Sequence, residues 1–216
     1  MKRYLKRKGV SYRRARRVPA RQIAPFRQNV MRRALEKVRL LARRGVCDLF
    51  FGDESGFSLV PPVPYLWQER GKTVTLAAQG HQKRLNVLGF WKEEGQEEQA
   101  LIHTSACGSL TSHHFMALVE EKLLPALRRP AVLVVDNARL HRCAVVEAAR
   151  SRWKAQGLRL WFLPPYCPHL NRIETLWKRT KYHWLDPSAY ADFLTLTNSV
   201  QNILNQIGGI YRLSFA

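Results

Sequence analysis

Along this chain the spacing of apolar residues changes character several times, and each change marks an element. From Pro25, "PFRQNVMRRALEKVRLLARRG" sets Val30, Leu35, Val38 and Leu41 at helical intervals and stops at Gly45, which predicts a helix with a cationic outer face. "VCDLFFGDESGFSL" is β-rich, with a break predicted from Gly52 to Gly56. "YLWQERGKTVTLA" has Arg70-Gly71 where a hairpin turn belongs, and "RLNVLGFWKEEGQEEQALIHTSACGSL" reads as two more strands around an acidic tip. Up to this point strand follows strand.

From Thr111 the period becomes helical. Phe115, Leu118, Val119 and Leu123 share one face, with Thr111 or Ser112 as N-cap. "AVLVV" is a short strand apolar at every position, as in strands buried on both faces. "HRCAVVEAARSRWKAQG" predicts a helix closed by Gly157, "LRLWFLP" a strand, and two helices follow at about Ile173 to Trp184 and Ser188 to Ile207. The predicted fold class is α/β: a mixed sheet, antiparallel strands first and β/α units afterwards, flanked by helices. No internal repeat is present.

Charge adds a partner to this picture. Residues 1–45 hold 17 Lys and Arg against Glu36 alone, a net of +16 out of +20, so the other 171 residues carry only +4. A balanced body of residues 46–216 behind a basic arm of residues 1–45 suits a polyanion, because cations near phosphates release condensed counterions. Arg13, Arg14, Arg16 and Arg17 in the arm, with Arg32 and Arg33 on the predicted helix, are the candidate phosphate contacts. A solvated tail, or one that binds lipid or RNA nonspecifically, is the competing reading. The longest aliphatic run is "AVLVV", far short of the roughly 20 residues that span a bilayer. The cationic N-terminus has no apolar segment after it, so no signal peptide is expected and the protein is placed in the cytoplasm. Cys47, Cys107, Cys143 and Cys167 are widely spaced, which argues against a zinc knuckle or a disulfide framework.

Three carboxylates are the candidate chemistry. Asp53 interrupts an apolar strand run and needs compensation there, unless "GDESG" is merely a turn. Asp136 follows "VLVV" at the strand edge where ligands and metals gather in open α/β sheets, although Asp136 or Asn137 could instead cap the next helix. Glu174 lies at N3 if Asn171 is the N-cap, which makes "NRIE" a capping box. The proline-rich approach "LPPYCPHL" goes beyond what a capping box requires, and it aims the first helical turn. Together the three form an oxygen-only inventory for Mg²⁺, and two such ions can assist an in-line displacement at phosphorus. Glu93, Glu94, Glu97 and Glu98 are read as a solvated hairpin tip, His113 and His114 as surface residues, and Trp161, Trp177 and Trp184 as core or groove wall.

"LFFGDESGFSL", "VLVVDNARLH" and "LPPYCPHLNRIETLWK" resemble, in order, the three blocks of the DDE transposases of the mariner superfamily, in particular its bacterial insertion-sequence branch. Asp136 and Glu174 are separated by 37 residues, and "YLWQERGKTV" resembles that family's Trp-x-x-x-Gly segment. The resemblance implies an RNase H-like fold, with Asp53 rather than Glu54, Asp136 and Glu174 as a catalytic triad holding two Mg²⁺, for which Mn²⁺ substitutes. It also implies hydrolysis at transposon ends followed by strand transfer into target double-stranded DNA, by a homodimer. Asn137, His141 and Asn171 are then supports of the triad or contacts to the DNA backbone.

The sequence departs from the family pattern at Arg172, where proline is usual, and at Cys167, where serine is common. Only the end of a helix-turn-helix region is expected in "MKRYLKRKGVSYRRARRVPARQ", so an upstream helix-turn-helix protein or a full-length transposase is a candidate partner. The competing functions are a non-catalytic DNA-binding remnant and an RNase H-like nuclease that does not join ends.

Overall fold

The computed structural model describes residues 25–60, 83–93, 100–165 and 167–213. A five-stranded mixed sheet forms its centre, in the order β3-β2-β1-β4-β5. The strands are β1 (Asp48–Ser58), β2 (Arg84–Lys92), β3 (Ala100–Cys107), β4 (Ala131–Val135) and β5 (Leu158–Phe162). β1, β2 and β3 pair antiparallel, whereas β4 runs parallel to both β1 and β5. This is the predicted sequence of an antiparallel start followed by β/α units.

Helices cover both faces. One face carries α1 (Pro25–Arg43), α4 (Ile173–Arg179) and α5 (Phe193–Asn205). Leu35, Ile173, Leu176, Trp177, Leu196, Val200 and Ile203 from these helices pack with Leu49, Phe51 and Phe57 of β1. The opposite face carries α2, which starts as Ser112–Ala117, widens to a π-helical Leu118–Leu123 and ends at Leu124–Ala126, and α3 (Ala144–Ala155). Phe115, Val119, Val146 and Trp153 meet Phe50 and Phe90 there. Strand alternation therefore sends Phe51 and Phe57 to one core and Phe50 to the other.

Several local expectations are corrected. The stripe that anchors α1 is Met31, Leu35, Val38 and Ala42; Val30 and Leu41 are exposed. No break occurs at Gly52 to Gly56, because β1 runs straight through to Ser58. These glycines provide space rather than a turn. A Cβ on Gly52 would come within 3.0 Å of both Phe90 and Val135, and one on Gly56 would overlap the Arg84 guanidinium. The last predicted helix is divided by Asp192, whose side chain accepts from the Thr195 N–H and starts α5 there.

Glu93 is not part of a solvated tip: its carboxylate is bound by Arg39 and Arg172. Gly157 closes α3 as expected, with φ of 90°. Trp177 is buried, Trp161 packs against the same core, and Trp184 lies against Tyr211 with ring centroids 5.0 Å apart. His113 is exposed, and His114 Nδ1 accepts from the Thr111 N–H at 3.2 Å. The predicted hairpin at Arg70-Gly71, and Glu94, Glu97 and Glu98, lie outside the described residues. Among the described residues the cysteines are free, and no helix is long and apolar enough to cross a membrane.

Candidate active site

Parallel pairing of β1 with β4 is what brings the first two carboxylates together. Phe51 is in register with Val134, and Asp53 and Asp136 each lie two residues beyond that pair. Period-two alternation puts Asp53 on the face occupied by Phe51, while Glu54 points to the other. The chain leaves β4 at Val135, so Asp136 stands at the open carboxyl end of a strand. From there β5 leads through Pro164, Pro165 and Pro168 to α4, whose first turn carries Glu174. Asp53, Asp136 and Glu174 line one cavity of about 310 Å³, with Asn137, Asn171 and the prolines forming its wall.

The capping-box reading of "NRIE" does not hold. Asn171 is buried, and its Nδ2 donates across the fold to the Gly52 carbonyl at 2.9 Å. Arg172 takes the N-cap position and has no side-chain cap bond. Asn171 therefore ties the start of α4 to β1 one residue before Asp53, and Glu174 is free to face the cavity.

The three carboxyl groups differ in environment. Burial, followed by the charges of Glu174, Glu54 and Asp136, pushes Asp53 up to about 8; a backbone N–H bond opposes this only in part. Glu174 is also raised, by burial first, against the opposing pull of Lys181. Asp136 is lowered, chiefly by its bond with His141. Its Oδ1 lies 2.9 Å from His141 Nδ1 and accepts the Ala138 N–H at 2.9 Å.

His141 is fully buried, so it is not a DNA-backbone contact; it braces Asp136 from behind. Its Nε2 lies 3.2 Å from Glu54 Oε1, an ion-pair contact without hydrogen-bond alignment. Burial opposes a charged ring, but Asp136 and Glu54 outweigh it and push His141 up to about 9. Asn137 Nδ2 donates to the Leu163 carbonyl, and its Oδ1 accepts from Arg142 at 2.8 Å. Asn137 thus links the ends of β4 and β5 at the cavity wall.

Among the described residues no group of three or more His, Cys, Asp or Glu side chains is arranged to hold a metal ion. The cavity does offer an oxygen-only donor set in which the Asp53 charge lacks compensation.

Of the predicted phosphate contacts, Arg32 and Arg33 are exposed on α1, and Arg13, Arg14, Arg16 and Arg17 lie outside the described residues. Three residues at the site went unread in the sequence. Glu54 was set aside for Asp53, yet strand alternation alone directs it to the opposite face, where His141 waits. Lys181 follows Glu174 by seven residues, two helical turns, and burial with the nearby Arg84 charge lowers it while Glu174 and Asp53 raise it. Arg142 lies over the Phe162 ring at 5.0 Å, just outside the cavity.

Comparison with known proteins places this geometry. Residues 48–197 match the family model described as DDE superfamily endonuclease. No curated protein matches the chain. Among solved structures, a Mos1 strand transfer complex is similar with a TM-score of 0.59 and 17% identity, over 98% of this chain and 62% of that one. The catalytic domain of Mos1 mariner transposase aligns with a TM-score of 0.53 and 12% identity, over 87% of this chain and 84% of that one. A Mos1 mariner paired end complex with Mn gives 0.51 and 15%, over 98% and 71%. This chain thus spans about 62% of the protein in the first of these complexes. The likeness is one of fold, that of the RNase H-like transposase catalytic domains. The family match covers β1 through the first turns of α5, hence all three carboxylates, and the chain belongs to the DDE superfamily endonucleases.

Proposed function

We propose that this chain is a transposase catalytic domain, with Asp53, Asp136 and Glu174 as the residues that hold its metal ions and line the reacting phosphate. The observation that carries this reading is the convergence of three carboxylates from three separate elements on one cavity. Two Mg²⁺ ions, with Mn²⁺ as substitute, would supply the positive charge that favours in-line displacement at phosphorus. Asp53 tolerates its burial only with such a counter-charge or a proton.

The protein's own groups do the positioning. His141 fixes the Asp136 carboxylate through Oδ1, and Asp136 lines the cavity. Asn171 fixes the start of the Glu174 helix against β1. Lys181 beside the carboxylates, Arg84 next to Lys181, and Arg142 outside the wall attract the phosphates of a DNA strand. Residues 1–45 act as a basic arm that holds the duplex, through Arg32 and Arg33 on α1 and Arg13, Arg14, Arg16 and Arg17 ahead of it. Residues 46–216 form the catalytic domain. The similar structures, a Mos1 strand transfer complex and a Mos1 mariner paired end complex with Mn, support transposon ends and target DNA as substrates. In this reading the chain works as a pair of copies, with end recognition supplied by full-length transposase or a helix-turn-helix protein, in the cytoplasm at the nucleoid.

The test is a nicking and joining assay on supercoiled and end-bearing DNA with Mg²⁺ or Mn²⁺. Metal-dependent cleavage followed by joining is expected. Asp136→Asn is expected to lose about a thousandfold in rate, the scale of several kcal/mol of charge stabilisation. Cleavage without joining would identify a nuclease, and no metal-dependent cleavage above the Asp136→Asn background would identify a non-catalytic remnant.

A further inference from the structure

Arg172, where the related block has proline, has a specific partner in this fold. It is the residue immediately before α4, with φ −67° and ψ −21°. Its guanidinium donates to Glu93 Oε1, and Arg39 of α1 donates to Glu93 Oε2 at 3.0 Å. The three side chains are 10%, 17% and 24% exposed for Glu93, Arg39 and Arg172. Glu93 directly follows β2, and its own N–H donates to the Leu49 carbonyl at 3.1 Å, so the carboxylate is fixed to the sheet. Arg39 is steadied in turn by the Phe51 ring, 5.6 Å from its guanidinium. Burial, Arg39 and Arg43 all act against the Arg172 charge, and Glu93 offsets them only in part. That carboxylate is a shared counter-charge for the Arg39 and Arg172 guanidinium groups, and it ties the start of α4 to the end of β2 and to α1.

We propose that Glu93 is a positioning residue for Glu174: by gripping Arg172 it sets where α4 begins, in place of the covalent restraint a proline imposes. The proposal rests on the reading of Glu174 as a metal ligand. The backbone supports the substitution of one restraint by the other. A φ of −67° is the value a pyrrolidine ring enforces. Asn171, at φ −88° and ψ 101°, already occupies the extended region that a following proline demands. Arg172→Pro therefore fits these backbone angles, and it is expected to make Glu93 dispensable.

Glu93→Gln, Arg172→Pro and the double variant, made in the full chain, test this. The first readout needs no metal: hydrogen exchange of the Glu174 and Thr175 amides, which donate to the Asn171 and Arg172 carbonyls at 3.2 and 3.0 Å, with β4 amides as internal reference. Glu93→Gln is expected to speed both amides about tenfold with β4 unchanged, a local opening rather than a global one. The second readout is Mn²⁺ affinity, from the paramagnetic resonance signal of the free ion. Glu93→Gln is expected to weaken it about tenfold, as loss of a ligand's support does, and the double variant to restore both quantities. Unchanged exchange in Glu93→Gln, or a double variant as fast as that single one, overturns the proposal. If Glu93→Gln does not fold, Arg172→Ala against Arg172→Pro decides: fast exchange is expected in the first and slow in the second, and equal rates overturn it. A parent protein that binds no Mn²⁺ refutes the metal-site reading, while the exchange rates still judge the role of Glu93.

Discussion

Asp53→Asn removes the cavity carboxylate that burial penalises most, and it is expected to stabilise the metal-free protein while abolishing cleavage. A carboxyl held at about 8 against an unfolded value near 4 implies about 6 kcal/mol of lost stability once both states are ionised, and about 4 kcal/mol at pH 7. The sign follows from proton release. Below about pH 4 both states are protonated and the group is neutral in its effect. As pH rises from about 4 to about 8 the unfolded chain gives up the proton that the folded chain keeps, so folding loses stability, and above about 8 the loss levels off. Water entering the open cavity weakens the effect, so about 2–3 kcal/mol is the difference expected in practice. The assay is urea unfolding in the presence of a chelator at pH 5.5, 7 and 8.5. The gap between Asp53→Asn and the parent should widen across that series, and Mg²⁺ should narrow it by stabilising the parent alone. Parallel curves for the two proteins, or a less stable Asp53→Asn, would refute the view of Asp53 as an uncompensated buried acid.

Other outcomes follow from the same geometry. His141→Ala leaves Glu54 Oε1 buried without its cation and is expected to cost about 3 kcal/mol in chemical unfolding; it should also raise the Asp136 titration seen by carbon NMR, since His141 is the main cause of its lowering. A Cβ on Gly89 would come within 2.9 Å of the Trp177 ring, so Gly89→Ala should cost about 1–3 kcal/mol by overpacking and should slow cleavage, because Trp177 belongs to the helix that carries Glu174. Trp153→Ala removes a buried side chain wedged between α3 and Phe115, with ring centroids 6.2 Å apart; a loss of about 3–5 kcal/mol is expected with the DNA affinity of folded protein unchanged.

Periodicity was enough for the order of most of the described elements. Helix and strand spacing in "MALVEEKLL", "AVLVV" and "AVVEAARSRW" reflects burial, and burial is what arranges these segments in the fold. The same holds for Asp53: an acid breaking an apolar strand is visible because its cost must be met somewhere. Glycine was the misleading signal. Gly52 and Gly56 have the composition of a turn, but a strand interior also selects glycine when neighbours such as Phe90 and Val135 leave no room for a Cβ, and only coordinates distinguish the two. Partnerships between distant residues were equally hidden. Glu93 looked like one of four acids on a hairpin, and its burial depends on Arg39 and Arg172, which are 54 and 79 residues away. Asn171 looked like a cap, and the Gly52 carbonyl claimed its amide instead. Local composition records what a residue needs, whether burial, a counter-charge or a hydrogen bond. Which side chain supplies that need is fixed by strand register and helix docking, where residues far apart in the chain become neighbours.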